Sequence, residues 1–479
     1  MSARLNPDRL LPWLCVAAVV GRLIAVAIAF PPQDGDRIWQ RWLGERILHE
    51  HAIPRALGPE TFAAAGAPWT PQEWLFSTAL AASIDHGLAW LVPLACALLV
   101  GVALVAVVLR CARRGVSAAA TSAAVLLCGL ATIQSFGTRV QVVGWAGVAL
   151  LLWLLEREGP LAWAAIPLTL VWANLHASVF LAPLVVLLVA VAAALRDRGF
   201  SPAVRRYAMI AGACAFATTL TPLGLDLPRY AVGLLASPIR HAISEWGATS
   251  LNSVAFTLGA LPLVLALVAF GVRAPLRDRL VALAFGVLLF TAVRNVPLFA
   301  FAVAPIALAA LPRAATRREQ PTRSVRAAAW VTAAAATLVA VIIPIASWRS
   351  APSAASALPV GPVRELLARS TAPPRVFCED FAWCSLFLEE RRPARFFMDG
   401  RCDPYPPRLW REYLTVLNGN TGWRHVLDAH HVDAVIVRRD GALDSLLAER
   451  PEGWSLIAAD GRARVYVRPS LLARAARSS

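Results

Sequence analysis

Two aspartates, Asp34 and Asp36, stand in the run FPPQDGDRIWQRW, directly after an apolar stretch from Leu11 to Phe30. A carboxylate where lipid meets water can take a proton from a hydroxyl. It can also help hold a hard divalent cation, and an oxygen-only ligand set suits Mg²⁺ or Mn²⁺ better than zinc. The plainer alternative makes Asp36 the N-cap of the helix that follows, its oxygen accepting a backbone N–H.

Other ionisable side chains fall at the ends of apolar segments. They are Glu73 in PWTPQEW, Arg139 in GTRVQ, His176 in NLHAS, Glu245 in ISEW and Arg294 in RNVP. An ionisable group at membrane depth costs about 2.5–3.5 kcal/mol unless it faces protein or a wet cavity. Arginine's planar fork matches a phosphate. Each residue also has a structural reading. Arg139 and Arg294 can snorkel to headgroups, and His176 can hold two short helices apart. Asp226 fits a turn or cap. Glu245 precedes Trp246, an interfacial anchor. Arg22, inside the first apolar segment, fits pairing within a bundle.

The elements that would position these groups follow from composition. The chain has 479 residues, 58% hydrophobic, with a mean hydropathy of +0.59. Apolar stretches of the length that crosses a bilayer make it a multi-span membrane protein. Spans are expected at 11–30, 86–109, 118–136, 142–156, 161–174, 178–195, 207–222, 253–271, 280–293, 297–311 and 327–347. The first lacks a small-residue cleavage site and reads as a retained helix.

The net charge of +16 comes without a single lysine. Its arginines concentrate in alternate short loops: 110–115, 196–206, 272–279 and 312–326. This is the signature of cytoplasmic loops, and no basic–aromatic module points to nucleic acid. It predicts eleven spans, the N-terminus inside and a C-terminal domain outside. The chemistry-bearing residues above then share the outer side, which predicts one extracytoplasmic site. The first outer loop, 31–78, carries Ile38, Trp42, Ile47 and Leu48 near helical spacing, the pattern of an amphipathic helix on the membrane surface.

The expected organisation is a membrane domain over 1–349, a linker at 350–362 and an α/β domain over 363–479. RVFCED, ARFFMDG, VDAVIVRR, WSLIAA and RVYVRP read as strands, with VDAVIV a buried central one. PRLWREYLTVL, GWRHVLDAH and ALDSLLAER read as helices. Cys15, Cys96, Cys111, Cys128 and Cys214 fit small packing residues. Among Cys378, Cys384 and Cys402 one disulfide can form, leaving one thiol, and the spacing does not say which. His430 and His431 are assigned no metal. Asp399, Arg401 and Asp403 in MDGRCDPYP fit a structural turn.

The order of these segments resembles the GT-C superfamily of membrane glycosyltransferases, polytopic α-helical proteins that use polyprenyl-phosphate sugars. It is most similar to a bacterial branch related to lipopolysaccharide-core sugar transferases. Asp34 and Asp36 match its acidic motif, and Trp39, Gly44, Glu45 and Pro54 match the helix and turn that follow. Trp69, Glu73, Trp74 and Leu75 match its Trp-x-x-x-Glu-Trp-Leu segment. RVQ, WANLHAS, TPLGLDLPRY, ISEW, RNVPLF, MDGRCDPYP and DAHHVDAVIVRR follow in the branch's order. Histidine is common where this chain has Gln40 and Gln72, and RVQ replaces Arg-Pro-Gln.

The resemblance implies an inverting transferase in the bacterial inner membrane. Asp36 would be the base, Asp34 its partner, and Mg²⁺ or Mn²⁺ the candidate ion. The donor would be a polyprenyl-phosphate sugar, the acceptor an extracytoplasmic glycan, lipid or protein. Arg294 or Arg139 would hold the phosphate by inference from chemistry, with His176, Glu73 and Glu245 nearby; for Asp399, Arg401 and Asp403 acceptor recognition is the alternative to a structural turn, read from the residues themselves. A transporter or flippase and a non-catalytic scaffold are the alternatives. The first would show internal repeats and mid-membrane charges; the second is consistent with the missing histidines.

Overall fold

The computed structural model describes residues 7–29, 35–157, 159–235, 243–312, 358–390, 393–449 and 453–471. Asp34, the segment 327–347 and most of the linker lie outside the described residues. The chain divides into two compact units. A helical unit comprises Met1–Phe30, Leu88–Ala231 and Ile243–Ser350; a mixed unit joins Pro31–Gly87 and Val232–Ala242 to Ala351–Ser479.

The helices, in chain order, are α1 (Pro7–Ala29), α2 (Gly35–Glu50), α3 (Trp74–Asp85), α4 (Leu91–Arg113), α5 (Ala118–Ala131), α6 (Gln141–Glu156) and α7 (Ala165–Leu175). Then come α8 (Leu181–Asp197), α9 (Pro202–Ala217), α10 (Asp226–Leu235), α11 (Leu261–Phe270), α12 (Leu276–Thr291) and α13 (Val296–Ala310). Each of the first ten segments read as spans contains a helix. Among the described residues five helical stretches are long and apolar enough to cross a membrane: Leu10–Ala27, Leu91–Arg113, Ala177–Asp197, Ala255–Arg273 and Val293–Ala310. Apolar helices such as α5 and α6 fall short of that length. The fifth and sixth segments are two helices joined at His176, whose backbone is extended.

In the helical unit α13 is the hub. Every residue from Val296 to Ala307 is buried, and α4, α5, α6, α11 and α12 pack around it. A helix apolar on all sides belongs in such a position, and its alanines let neighbouring backbones come close. Close approach is tightest at Gly259, in the π-helical turn Ala255–Ala260: a Cβ there would lie 2.5 Å from the Ala131 nitrogen. The five cysteines read as packing residues are all buried.

The mixed unit contains a five-stranded sheet ordered β2-β1-β3-β5-β4, formed by β1 (Arg375–Cys378), β2 (Arg395–Phe396), β3 (Ala434–Arg438), β4 (Ser455–Ala459) and β5 (Ala463–Val467). β1 runs parallel to β2 and β3, while β5 is antiparallel to β3 and β4. β3, the apolar run in VDAVIV, is central and buried over Ala434–Val437. Short helices at Pro407–Leu417, Trp423–Ala429 and Ala442–Glu449 match the helical readings. Cys378 pairs with Cys384, and Cys402 stays reduced and buried.

The first loop belongs to this unit because its apolar side chains complete the unit's core. Ile38 of α2 is buried among Val363, Leu366, Phe396, Ile436 and Val465. Thr61 pairs with Phe396 at the sheet edge, where the Phe396 N–H donates to the Glu60 carbonyl at 2.8 Å. The opposite face of α2 lies on α3: a Cβ at Gly44 would be 2.0 Å from the Ser77 carbonyl oxygen, so only glycine fits. Of the four residues read as a lipid-facing stripe, Ile38 and Ile47 are therefore buried in protein, Trp42 is half-buried and Leu48 is exposed.

Candidate functional site

Asp36 sits in the first turn of α2, because the helix already begins at Gly35; the N-cap position expected for it lies further back. Gly35 opens the helix against Ala382, where a Cβ would sit 2.9 Å from the Ala382 Cβ. The Asp36 carboxylate is half-buried and accepts the Trp39 indole N–H at 3.4 Å. The free N–H groups of a helix start favour negative charge at this point. Trp39 in turn packs on Gly400 of the MDGRCDPYP turn.

Glu73, directly before α3, is buried. The Gln40 amide donates to its Oε2 and the Gln72 amide to its Oε1, the latter at 2.8 Å. These are the two positions where the resemblance leads one to expect histidine. Both carboxylate oxygens of Glu73 are thus occupied by amide N–H groups. Among the described residues no three His, Cys, Asp or Glu side chains gather as metal ligands. The described side chains therefore do not compose a Mg²⁺ or Mn²⁺ site, and no chemical step is routed through a cation.

The MDGRCDPYP turn is internal. Asp399 and Arg401 are buried, at 0% and 3% exposure. Arg401 Nε is 3.0 Å from both Asp399 oxygens, and its Nη1 is 3.1 Å from Glu60 Oε1. The guanidinium lies 5.1 Å from the ring centres of both Trp42 and Trp69. The Tyr405 hydroxyl donates to Asp399 Oδ1 at 2.7 Å. Burial pushes the Tyr405 phenol well above its ordinary pKa, with the Asp399 charge adding to it. Asp399 and Arg401 thus tie the first loop to the C-terminal turn, while Asp403 is half-buried. Sequence reading missed Glu60, whose only signal is an acidic residue in a Pro/Gly-rich loop. His430 is held by Glu412 at 2.8 Å and lies edge-on to Phe397.

In the helical unit, Arg139, Glu245 and Arg294 come together. Arg139 forms an ion pair with Glu245, and the Arg294 guanidinium lies 4.4 Å from the Trp246 ring centre. The Val293 N–H donates to the Gly247 carbonyl at 2.9 Å, fixing the segment that carries Arg294 to the one that carries Glu245. Among the described residues Arg294 forms no ion pair, so its N–H edge has no carboxylate to satisfy it. A guanidinium stacked on a ring by its face keeps that edge for a planar anion. His176 turns the chain between α7 and the next helix. Its Nδ1 accepts the Ser178 backbone N–H at 3.2 Å, and the Ser178 hydroxyl, 2.6 Å away, also accepts the Trp172 indole N–H. That pattern places the neutral imidazole proton on Nε2. Arg294 is near enough to act on His176 electrostatically. Asp226 opens α10 and pairs with Arg229 at 3.2 Å.

No family model matches the sequence, and no curated protein matches it. The fold is similar to that of the archaeal oligosaccharyltransferase AglB from Archaeoglobus fulgidus, solved in complex with an inhibitory peptide and a dolichol-phosphate. The TM-score is 0.57 at 13% identity, covering 93% of this chain and 73% of that one. The likeness is one of fold alone, in a chain with five apolar helical stretches of membrane-crossing length among its described residues.

Proposed function

We propose that the protein is a membrane glycosyltransferase that takes a sugar from a polyprenyl-phosphate-linked donor. The observation that carries this reading is the likeness in fold to that archaeal enzyme, together with an acidic residue, Asp36, in the first turn of the helix that follows the first span. The similar archaeal enzyme was solved with a dolichol-phosphate and a peptide, which supports a lipid-phosphate donor and an acceptor here. The finer reading places the reaction outside the bacterial inner membrane, on a hydroxyl of a cell-envelope acceptor.

In this scheme Asp36 accepts the proton of the acceptor hydroxyl while its oxygen attacks the anomeric carbon. The bond from that carbon to the phosphate oxygen breaks, the electron pair leaves with the lipid phosphate, and configuration inverts. Arg294 donates two N–H bonds to the departing phosphate, a charge-assisted pair that strengthens as negative charge develops. Arg139, balanced by Glu245, holds the neighbouring segment in place. Asp34 and His176 are further candidates for roles in the reaction.

The test is sugar transfer in membranes by Asp36→Asn. The variant keeps an acceptor for the Trp39 N–H and loses the base, so transfer should fall by about 10²–10⁴-fold; unchanged turnover removes Asp36 from the mechanism. The reading of a non-catalytic scaffold draws on Gln40 and Gln72, which fill Glu73 with amide bonds. It requires that the wild-type protein consume no lipid-linked sugar.

A further inference from the structure

Three loops that the arginine pattern assigns to the cytoplasmic side, 110–115, 196–206 and 272–279, meet the end of α6 at one cavity of about 450 Å³ in the helical unit. Five arginines and two acids line it. The acids are already used. Glu156 accepts from Arg110 at 2.8 Å and from Arg114 at 2.7 Å, and Asp278 pairs with Arg114 at 2.5 Å. Arg196 has Asp197 at 2.7 Å. Among the described residues Arg113, Arg206 and Arg277 form no ion pair.

Five guanidiniums and two carboxylates around one hollow leave it net positive, and the effect is greater where protein walls exclude water. Two of the guanidiniums are held in place and partly dry. Arg277 Nη1 is fixed by the Leu155 carbonyl at 3.2 Å, while its Nη2 is buried with no partner. Arg206 is stacked at 5.0 Å on the Tyr207 ring, and its Nε is likewise buried without a partner. Setting topology requires basic residues in these loops; it does not require them to line a shared cavity. The remaining walls, such as Val189, Ala192 and Leu276, are apolar, which suits a group that is part anion and part hydrocarbon.

We propose that the cavity bounded by Arg113, Arg206 and Arg277 is a binding site for a phosphate-bearing group, supplied either by an anionic lipid headgroup or by a soluble phosphate compound. Basic pockets between membrane helices bind such headgroups by this combination of charge and fork geometry. The cavity is separate from the Arg139–Glu245 pair. The cavity contains Glu156, the last residue of α6, whereas Arg139 precedes the first residue of that helix, Gln141.

The experiment uses the full-length protein in detergent. Binding of phosphatidylglycerol and of phosphatidylcholine is followed by native mass spectrometry, and inorganic phosphate by thermal shift. Wild type should retain phosphatidylglycerol over phosphatidylcholine, with Arg206→Gln/Arg277→Gln at least tenfold weaker. Arg198→Gln/Arg205→Gln, which removes two exposed arginines outside the cavity, should bind as wild type does. Protection by inorganic phosphate without lipid selectivity, lost in the same cavity variant, assigns the site to a soluble phosphate compound. Equal binding by wild type and cavity variant, or equal loss in the control pair, overturns the proposal. Should the double variant not fold, exposed Arg113→Gln alone decides: about threefold weaker binding supports the site, and none refutes it.

Discussion

Arg110 supplies the hydrogen-bond donor that Pro305 withholds. In α13 the Phe301 carbonyl would accept from the nitrogen four residues on, but that nitrogen belongs to proline and has no hydrogen. Arg110, buried on α4, donates to the Phe301 carbonyl at 3.0 Å and to the Ala302 carbonyl at 3.0 Å. Its Nε holds Glu156 at 2.8 Å. One side chain thereby repairs the central helix and anchors the buried ion network.

This relation gives a double-mutant cycle. Arg110→Leu should destabilise the detergent-solubilised protein by about 3–5 kcal/mol, since it breaks a buried charge network. In the Pro305→Ala background the Phe301 carbonyl regains a backbone donor, and the same substitution should cost about 1 kcal/mol less. Thermal unfolding of the four proteins measures the coupling; strict additivity would show that Arg110 does not serve the proline gap.

Arg294 makes a second case, resting on the proposed function. Lysine keeps the charge and loses the fork, so Arg294→Lys should lower kcat/KM for the lipid-linked donor by about tenfold, and Arg294→Ala by about a hundredfold. Equal activity of wild type and the alanine variant would place the phosphate elsewhere.

The Arg401 clamp concerns stability. Truncating it leaves Asp399, with 0% side-chain exposure, to Tyr405 and the Arg401 backbone N–H. Arg401→Ala should cost about 3–5 kcal/mol and loosen the Trp42–Trp69 pair, visible as a shift in tryptophan emission. Arg401→Lys should fall between, because an ammonium cannot reach Asp399 and Glu60 as one fork. A melting temperature unchanged in both variants contradicts the clamp.

Glu379 gives a pH dependence. Burial pushes its carboxyl above the ordinary glutamate value, only partly offset by the Arg438 backbone N–H it accepts at 2.7 Å. The folded state therefore holds this proton more tightly than the unfolded state does. Its contribution to stability is full below the ordinary value and is lost as pH rises through the window up to the raised one. Glu379→Gln keeps an acceptor and has no proton to lose. As pH rises above the ordinary glutamate value of about 4.3 the variant's melting temperature should gain on wild type's; parallel profiles would be the contrary result.

Much of the fold was legible in the sequence for local reasons. The strand β3 announces itself as an unbroken apolar run, and the helices at 407–417 and 423–429 carry clear periodicity. Alternate arginine-rich loops read as one side of the membrane, and the structure gathers three of them around a cavity. What could not be read is long-range. Arg401 and Trp42 stand far apart in sequence, and nothing in MDGRCDPYP names its aromatic partners. Arg110 read as an orientation signal, since a proline gap on α13 leaves no mark on α4. The cysteine pairing stayed open because three thiols in one region fit several bridges, and packing chose Cys378 and Cys384.

The mixed unit is assembled from pieces that leave the ribosome at different times. Leu88 through Ser350, nearly all of it helical-unit chain, is synthesised between the early loop and the sheet that receives Ile38 and Glu60. At translation rates of about 5–20 residues per second this takes tens of seconds. During biogenesis Trp42 and Trp69 must therefore wait without Arg401, and any stall or truncation before the sheet strands exposes them. Maturation of this protein is in that sense a late event, completed only when its last quarter has been made.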